Sequence, residues 1–234
     1  MFFPRRLPIF LNDASMFSLI FGNVDATDPR MADRIYAFRH AYFVEYLRWE
    51  SCRQADCRER DRFDGPDSVH ILGEDGAEIL AYARLLPTTR PHLLSNLYPE
   101  ILQGRPAPTG LRIYEWTRHA IAPRMREATV ATAFSNVVSG AVALTADCLD
   151  LEGLLVQLHP SLVDRLMETG WDAEPLACPT KWEGSYLVPV YAHLTDHTLL
   201  TAHAAFAAWP EASLHVPQGL ARAATADLPM PVLQ

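Results

Sequence analysis

The stretch Val69-His-Ile-Leu72, then Asp75-Gly76, then Ile79-Leu-Ala-Tyr-Ala-Arg-Leu-Leu86 carries the reading of the fold. Two apolar runs flank an Asp-Gly pair, the sequence signal of a hairpin turn that needs backbone conformations glycine supplies freely. Working outward, residues 17–21 (Phe-Ser-Leu-Ile-Phe) predict a strand before the hairpin. Residues 28–49 predict a helix: Asp28 can cap it, Pro29 suits its first turn, and Ile35, Phe38, Tyr42 and Tyr46 recur at helical spacing. The charged, apolar-poor stretch 50–66 predicts a loop or mobile flap. Downstream, Pro87, Pro91 and Pro99 punctuate a short helical connection, and residues 111–120 predict a strand. The Ala- and Val-rich run 127–149 predicts a buried helix. Residues 154–158, 160–169, 186–191 and 192–208 then predict strand, helix, strand and helix. No internal repeat is present. Strands alternating with helices, plus an early hairpin, imply an α/β domain whose mixed sheet is covered on both faces.

The chain has 234 residues, 49% of them apolar, enough for one sizeable domain. The division expected is an extension over residues 1–15, a domain over 16–208, and a proline-bearing, poorly packed tail over 209–234. A net charge of −8 argues against a general nucleic-acid binder, which needs an excess of Lys and Arg to match phosphates. Arg5 and Arg6 precede an apolar run, but Asn12 and Asp13 interrupt it, and no stretch reaches membrane-spanning length. A cytoplasmic protein is expected. Cys52, Cys57, Cys148 and Cys178 match no paired framework and read as free thiols. His193 and His197 lie four apart on an expected helix, a spacing that can place two metal ligands on one face. With no third ligand in view, no metal is expected.

Three blocks change the odds on function. They are Arg39-His-Ala-Tyr-Phe43 with Trp49 and Glu59-Arg-Asp61-Arg-Phe63-Asp64; Ala83-Arg84-Leu-Leu-Pro-Thr-Thr89; and Tyr114-Glu115-Trp-Thr-Arg118. In this order and spacing the chain resembles the autoinducer synthases, the N-acyl-homoserine lactone synthase family, over roughly residues 16–194. Tyr46 and Ser51 depart from the family pattern, beside Trp49. The resemblance implies a GNAT-like mixed sheet with a V-shaped split that admits an acyl chain. Ordinary GNAT enzymes hold the pyrophosphate of coenzyme A on a Gly-rich turn at a helix N-terminus. The equivalent turn here, residues 122–128, has no glycine, which disfavours an ordinary acetyl-CoA enzyme.

The reaction implied is acylation of the amine of S-adenosylmethionine by an acyl thioester. Attack of the substrate's own carboxylate on Cγ then closes the lactone and releases methylthioadenosine, for quorum sensing. Both small molecules are substrates, and no cofactor is implied. The first step needs a proton acceptor, and Glu115 is the candidate base. The second needs positioning more than acid–base help, because a sulfonium is already a good leaving group. The catalytic set is Glu115, Arg84, Arg118 and Asp64. The donor-binding set is Arg39, Phe43, Trp49, Asp61 and Asp64, with aromatic faces for the sulfonium and negative potential from residues 59–64. Direct contact and scaffolding are not separable within this group. His119 faces the site or turns away from it according to strand alternation. Val156, Gln157, Leu158 and His159 are placed along the acyl tunnel. The wording Glu-Trp-Thr-Arg resembles members taking acyl-CoA donors more than those using acyl carrier protein. The competing readings are a GNAT-fold acyltransferase for another amine, and a non-catalytic relative.

Overall fold

The computed structural model describes residues 16–127 and 131–217. The expected extension 1–15 and the end of the tail, 218–234, lie outside the described residues. Strand β1 (Phe17–Phe21) leads into a short helix α1 (Val24–Thr27) and then α2 (Pro29–Arg39). The Asp28 carboxylate caps α2, accepting from the Arg30 and Met31 amides at 3.1 and 3.0 Å. The helix continues over His40–Tyr46 as a wider π-type turn. The predicted hairpin is β2 (Val69–Asp75) and β3 (Glu78–Pro87), with Gly76 at φ +57° in its turn. After α3 (Leu93–Asn96) come β4 (Ile113–Ile121), α4 (Pro123–Arg126), α5 (Ala131–Cys148) and β5 (Gly153–Leu158). The chain then makes α6 (Val163–Glu168), β6 (Asp172–Pro175), β7 (Thr180–Trp182), β8 (Ser185–His193), α7 (Asp196–Ala207) and β9 (Leu214–His215).

The strands form one mixed sheet in the order β6-β8-β5-β4-β3-β2-β1-β9, with β7 added on β8. On one face α5 and α7 bury Phe134, Val137, Val138, Ala141 and Phe206 against Leu85, Trp116 and Leu154. On the other, Ile35 and Tyr36 of α2 pack on Leu72 and Tyr82. Helices therefore cover both faces, as the alternation of elements implies.

The feature that positions the site is a parting of the sheet. β4 and β5 run parallel and pair only from Ile113–Gly153 to Trp116–Val156. Beyond that pair β4 stays with β3 while β5 stays with β8, so the two strands diverge into a V. Just past the parting, β4 carries a bulge: Tyr82 opposes Ala120 and Arg84 opposes Thr117, leaving Arg118 and His119 facing Ala83 alone. Arg118 has φ +54°, a left-handed conformation uncommon for a residue with a Cβ.

Two expectations need correction. His193 ends β8 rather than lying on α7, so it shares no helix face with His197; it meets the Glu174 carboxylate at 3.1 Å instead. The segment after Trp209 is not wholly unpacked: β9 pairs parallel with β1, and Val216 is buried. No helix among the described residues is long and apolar enough to cross a membrane.

Candidate active site

Three arginines arrive on one face of the sheet from three elements. Arg39 comes from the end of α2, Arg84 from β3 and Arg118 from the β4 bulge. Arg39 and Arg84 are fully buried. Desolvating a guanidinium is affordable only with close, hydrogen-bonded counter-charges, and the segment 50–66 supplies them. Arg39 Nε reaches Glu59 at 2.6 Å, and its Nη1 reaches Asp64 at 2.6 Å. Arg84 Nη1 bonds Asp61 at 2.8 Å and Asp64 at 2.6 Å, Nη2 bonds Asp61 at 3.0 Å, and Nε donates to the Thr117 hydroxyl at 3.1 Å. Arg118 Nη2 spans Glu59 and Asp61, both at 3.0 Å. Within the segment, Asp64 accepts the Asp61 amide and Asp61 accepts the Phe63 amide, while Phe63 is buried.

The segment expected as a loop or mobile flap is therefore a loop pinned at its centre. Burial alone would raise the Asp64 carboxyl, but Arg39 and Arg84 outweigh it and hold it far below the usual range. Burial opposes ionisation of Glu59 and Asp61 too. Arg39 and Arg118 lower Glu59, and Arg84 lowers Asp61. Three cations and three anions cancel, so the cluster is not the source of negative potential that residues 59–64 suggest in the sequence.

What remains open on the cluster separates contact from scaffold. Every nitrogen of Arg84 is engaged. Arg39 Nη2 is buried without a hydrogen-bond partner, 3.9 Å from Asp61. Arg118 is the arginine at the surface of the cluster, and its Nη1 makes no hydrogen bond among the described residues. Its guanidinium lies 5.5 Å from the Phe43 ring centre, and Phe43 stacks on Trp49 at 5.0 Å. Phe43 is buried, whereas Trp49 is 44% exposed. Of the two stacked rings, Trp49 is the one that reaches the surface, where a ligand cation could meet it.

Glu115 stands apart from this cluster. It is fully buried on β4, opposite Leu155, one residue before the strands part. Its two carboxylate oxygens accept the Leu93 and Leu94 amides, each at 2.7 Å, closing the first turn of α3. Burial raises its pKa, against the pull of His92, these two amides and Arg84.

Along β5, Val156 closes the ladder with Trp116, and Gln157 and Leu158 continue past the parting. Val156 and Leu158 pack toward the α5 face. Gln157 Nε2 is buried without a partner. His159 is exposed and caps the turn at Pro160, its Nδ1 2.8 Å from the Ser161 hydroxyl, so it does not join the other three. His119 lies edge-on to Trp116, since the bulge sends it away from Arg118. Thr117, which orients Arg84, and Glu59, which joins Arg39 to Arg118, stand inside the motif blocks, but their individual partners emerge only in three dimensions.

The model of the autoinducer synthase family matches residues 25–181. The chain belongs to that family. An autoinducer synthase is an acyl-homoserine-lactone synthase, a transferase, and this places the chain's reaction class. Among relatives, the isovaleryl-homoserine lactone synthase of Bradyrhizobium diazoefficiens is 28% identical over 170 residues, covering 72% of this synthase and 75% of the relative. The acyl-homoserine-lactone synthase of Acinetobacter nosocomialis is 37% identical over 157 residues, 63% of this chain and 84% of its own. The solved structure of BjaI, a CoA-dependent acyl-homoserine lactone synthase with SAM and isopentyl-CoA, superposes with a TM-score of 0.78 at 24% identity, covering 91% of this synthase and all of BjaI. The fold extends to a Lactobacillus plantarum protein named as a putative N-acetyltransferase, with a TM-score of 0.52 at 16% identity.

Proposed function

We propose that this synthase acylates the amine of S-adenosylmethionine from an acyl-CoA thioester and then lactonises it. The observation that carries the reading is the open edge of the ion cluster: Arg118, with its spare Nη1, stands just past the parting of β4 and β5, and the Phe43 ring links it to the exposed Trp49. The donor carboxylate would sit on Arg118 Nη1, and its sulfonium against Trp49. The amine is then directed at a thioester carbonyl entering through the V. In the first step a C–N bond forms, the thioester C–S bond breaks, the thiol leaves, and the ammonium proton must be removed. In the second, a carboxylate oxygen attacks Cγ and the sulfonium C–S bond breaks, its electron pair leaving on methylthioadenosine.

Arg39, Arg84, Asp61 and Asp64 form the floor of the donor pocket, and their mutual ion pairs keep it rigid enough for near-attack geometry. Glu115 is the carboxylate on β4 beside the parting. Each oxygen keeps a lone pair beyond its backbone bond, so it would take the amine proton through a relaying water. Val156, Gln157 and Leu158 would line the acyl cleft. The CoA assignment rests on the Glu-Trp-Thr-Arg wording and on relatives whose names specify an isovaleryl product and a CoA donor.

Arg118→Gln tests the donor assignment. Losing a charge-assisted hydrogen bond of about 1.5–3 kcal/mol predicts S-adenosylmethionine affinity weaker by roughly 10- to 150-fold by titration calorimetry. Glu59 keeps Arg39 and Asp61 keeps Arg84, so folding should survive. Unchanged affinity would remove Arg118 from the pocket.

A further inference from the structure

Behind the ion cluster runs a chain of neutral groups that none of the three sequence blocks singles out. The Ser68 hydroxyl has one hydrogen, and the Gly65 carbonyl at 2.7 Å is a nearer acceptor for it than the Gly22 carbonyl at 3.3 Å. The Ser68 oxygen must therefore accept from His70 Nε2, 2.9 Å away. That leaves His70 Nδ1 as a bare lone pair, and the Tyr82 hydroxyl 2.7 Å away donates to it. The Tyr82 oxygen in turn accepts from Arg39 Nη1 at 3.5 Å, and the guanidinium lies 5.6 Å from the Tyr82 ring centre. His70 and Tyr82 are both essentially fully buried. One end of this chain is Arg39, which grips Asp64; the other is Gly65, the residue after Asp64. The chain closes a loop around the most deeply held carboxylate of the pocket floor.

We propose that His70 and Tyr82 are positioning residues of the donor pocket, a neutral hydrogen-bonded strut that fixes the Arg39 guanidinium against Asp64 and ties segment 50–66 to β2 and β3. The proposal rests on reading the arginine–carboxylate cluster as the floor of the S-adenosylmethionine site. Only a neutral imidazole protonated at Nε2 satisfies every bond in the chain. An imidazolium would bring a second N–H against the Tyr82 oxygen, which already accepts from Arg39.

The charges facing His70 are Asp64 from the segment, Arg84 from β3 and Arg39 from α2. Burial pushes its pKa down from 6.5 to about 4; Asp64 opposes this, and Arg84 and Arg39 add to it. The folded state then binds fewer protons at this site than the unfolded chain. Stability linked to His70 is complete above 6.5 and is lost as pH falls from 6.5 toward about 4.

Two measurements on the intact protein test the strut. Nitrogen-15 NMR of labelled histidines, with His70 assigned by the signal missing in His70→Asn, should show a neutral Nε2–H tautomer between about pH 5.5 and 8. An Nδ1–H tautomer, or titration near 6.5, overturns it. By calorimetry, Tyr82→Phe and His70→Leu should each weaken S-adenosylmethionine binding about 3- to 10-fold, the worth of one neutral hydrogen bond. The double variant should cost no more than either alone. His70→Asn, whose side-chain oxygen can take the Tyr82 proton, should recover most of the loss. Binding that none of these variants weakens overturns the strut alone. No binding by the unmodified protein overturns the pocket reading and the strut's role with it.

Discussion

Arg84→Met is expected to destabilise the protein by about 3–5 kcal/mol, the range for breaking a buried ion pair from one side. Arg84 is fully buried and alone bonds Asp61 through two nitrogens, Asp64, and the Thr117 hydroxyl. Methionine fills much of the volume, so the cost is a cluster left one cation short, with Asp64 held by Arg39 alone and Asp61 by Arg118, rather than a cavity. The pH dependence distinguishes this from a packing defect. In the unmodified protein the depressed carboxylates give stability that is present above their ordinary values of 3.8 and 4.5 and lost as pH falls below them. In Arg84→Met, Asp61 and Asp64 repel each other across a site that burial already disfavours for charge, so their pKa values rise. Mild acid should then narrow the gap between the variant and the unmodified protein, both of which lose the His70-linked contribution over the same range. Chemical denaturation at about pH 5 and pH 8 reads the narrowing directly, and an equal gap at both would contradict it.

Glu115→Gln should have two separable effects. The carboxylate receives two backbone N–H groups. A glutamine can accept one but must turn its amide hydrogens toward the other, leaving a buried donor unpaired at about 1–3 kcal/mol. That is a stability effect, visible in thermal unfolding. If Glu115 also takes the amine proton, kcat falls by roughly 10²- to 10⁴-fold with S-adenosylmethionine binding nearly intact. The second effect decides the base. A variant that is destabilised yet turns over at the full rate leaves Glu115 as a cap for α3, and the proton must go elsewhere.

Much of the framework can be read along the chain because its signals are local. The β1 strand, the Asp28 cap and the Asp75-Gly76 hairpin are each decided by residues within a few positions of one another. The elements that escape such reading are short or set from a distance. Strand β9 spans two residues and exists because β1 offers an edge. His193 reads as helical because no breaker separates β8 from α7; the boundary is the Thr195 cap, which accepts from the Thr198 amide.

The site shows the same division. The motif residues Arg39, Asp61, Asp64, Arg84 and Arg118 do converge, but charge content alone suggests a solvated, net-negative flap. Only the three-dimensional pairing shows a buried, ion-paired and formally neutral floor. Glu115 is legible as a strand carboxylate, whereas its two amide partners from α3 are not. The β4 bulge, which turns Arg118 toward Glu59 and His119 toward Trp116, breaks the period-two rule that strand reading depends on.

The central claim is the coupled reaction, and mass spectrometry of the purified protein with S-adenosylmethionine and a panel of acyl-CoA thioesters tests it most directly. The expected result is one N-acyl-homoserine lactone appearing together with methylthioadenosine in equal amounts. Lactone formed only from acylated carrier protein would contradict the CoA assignment, and no lactone from either donor would contradict the synthase reading itself.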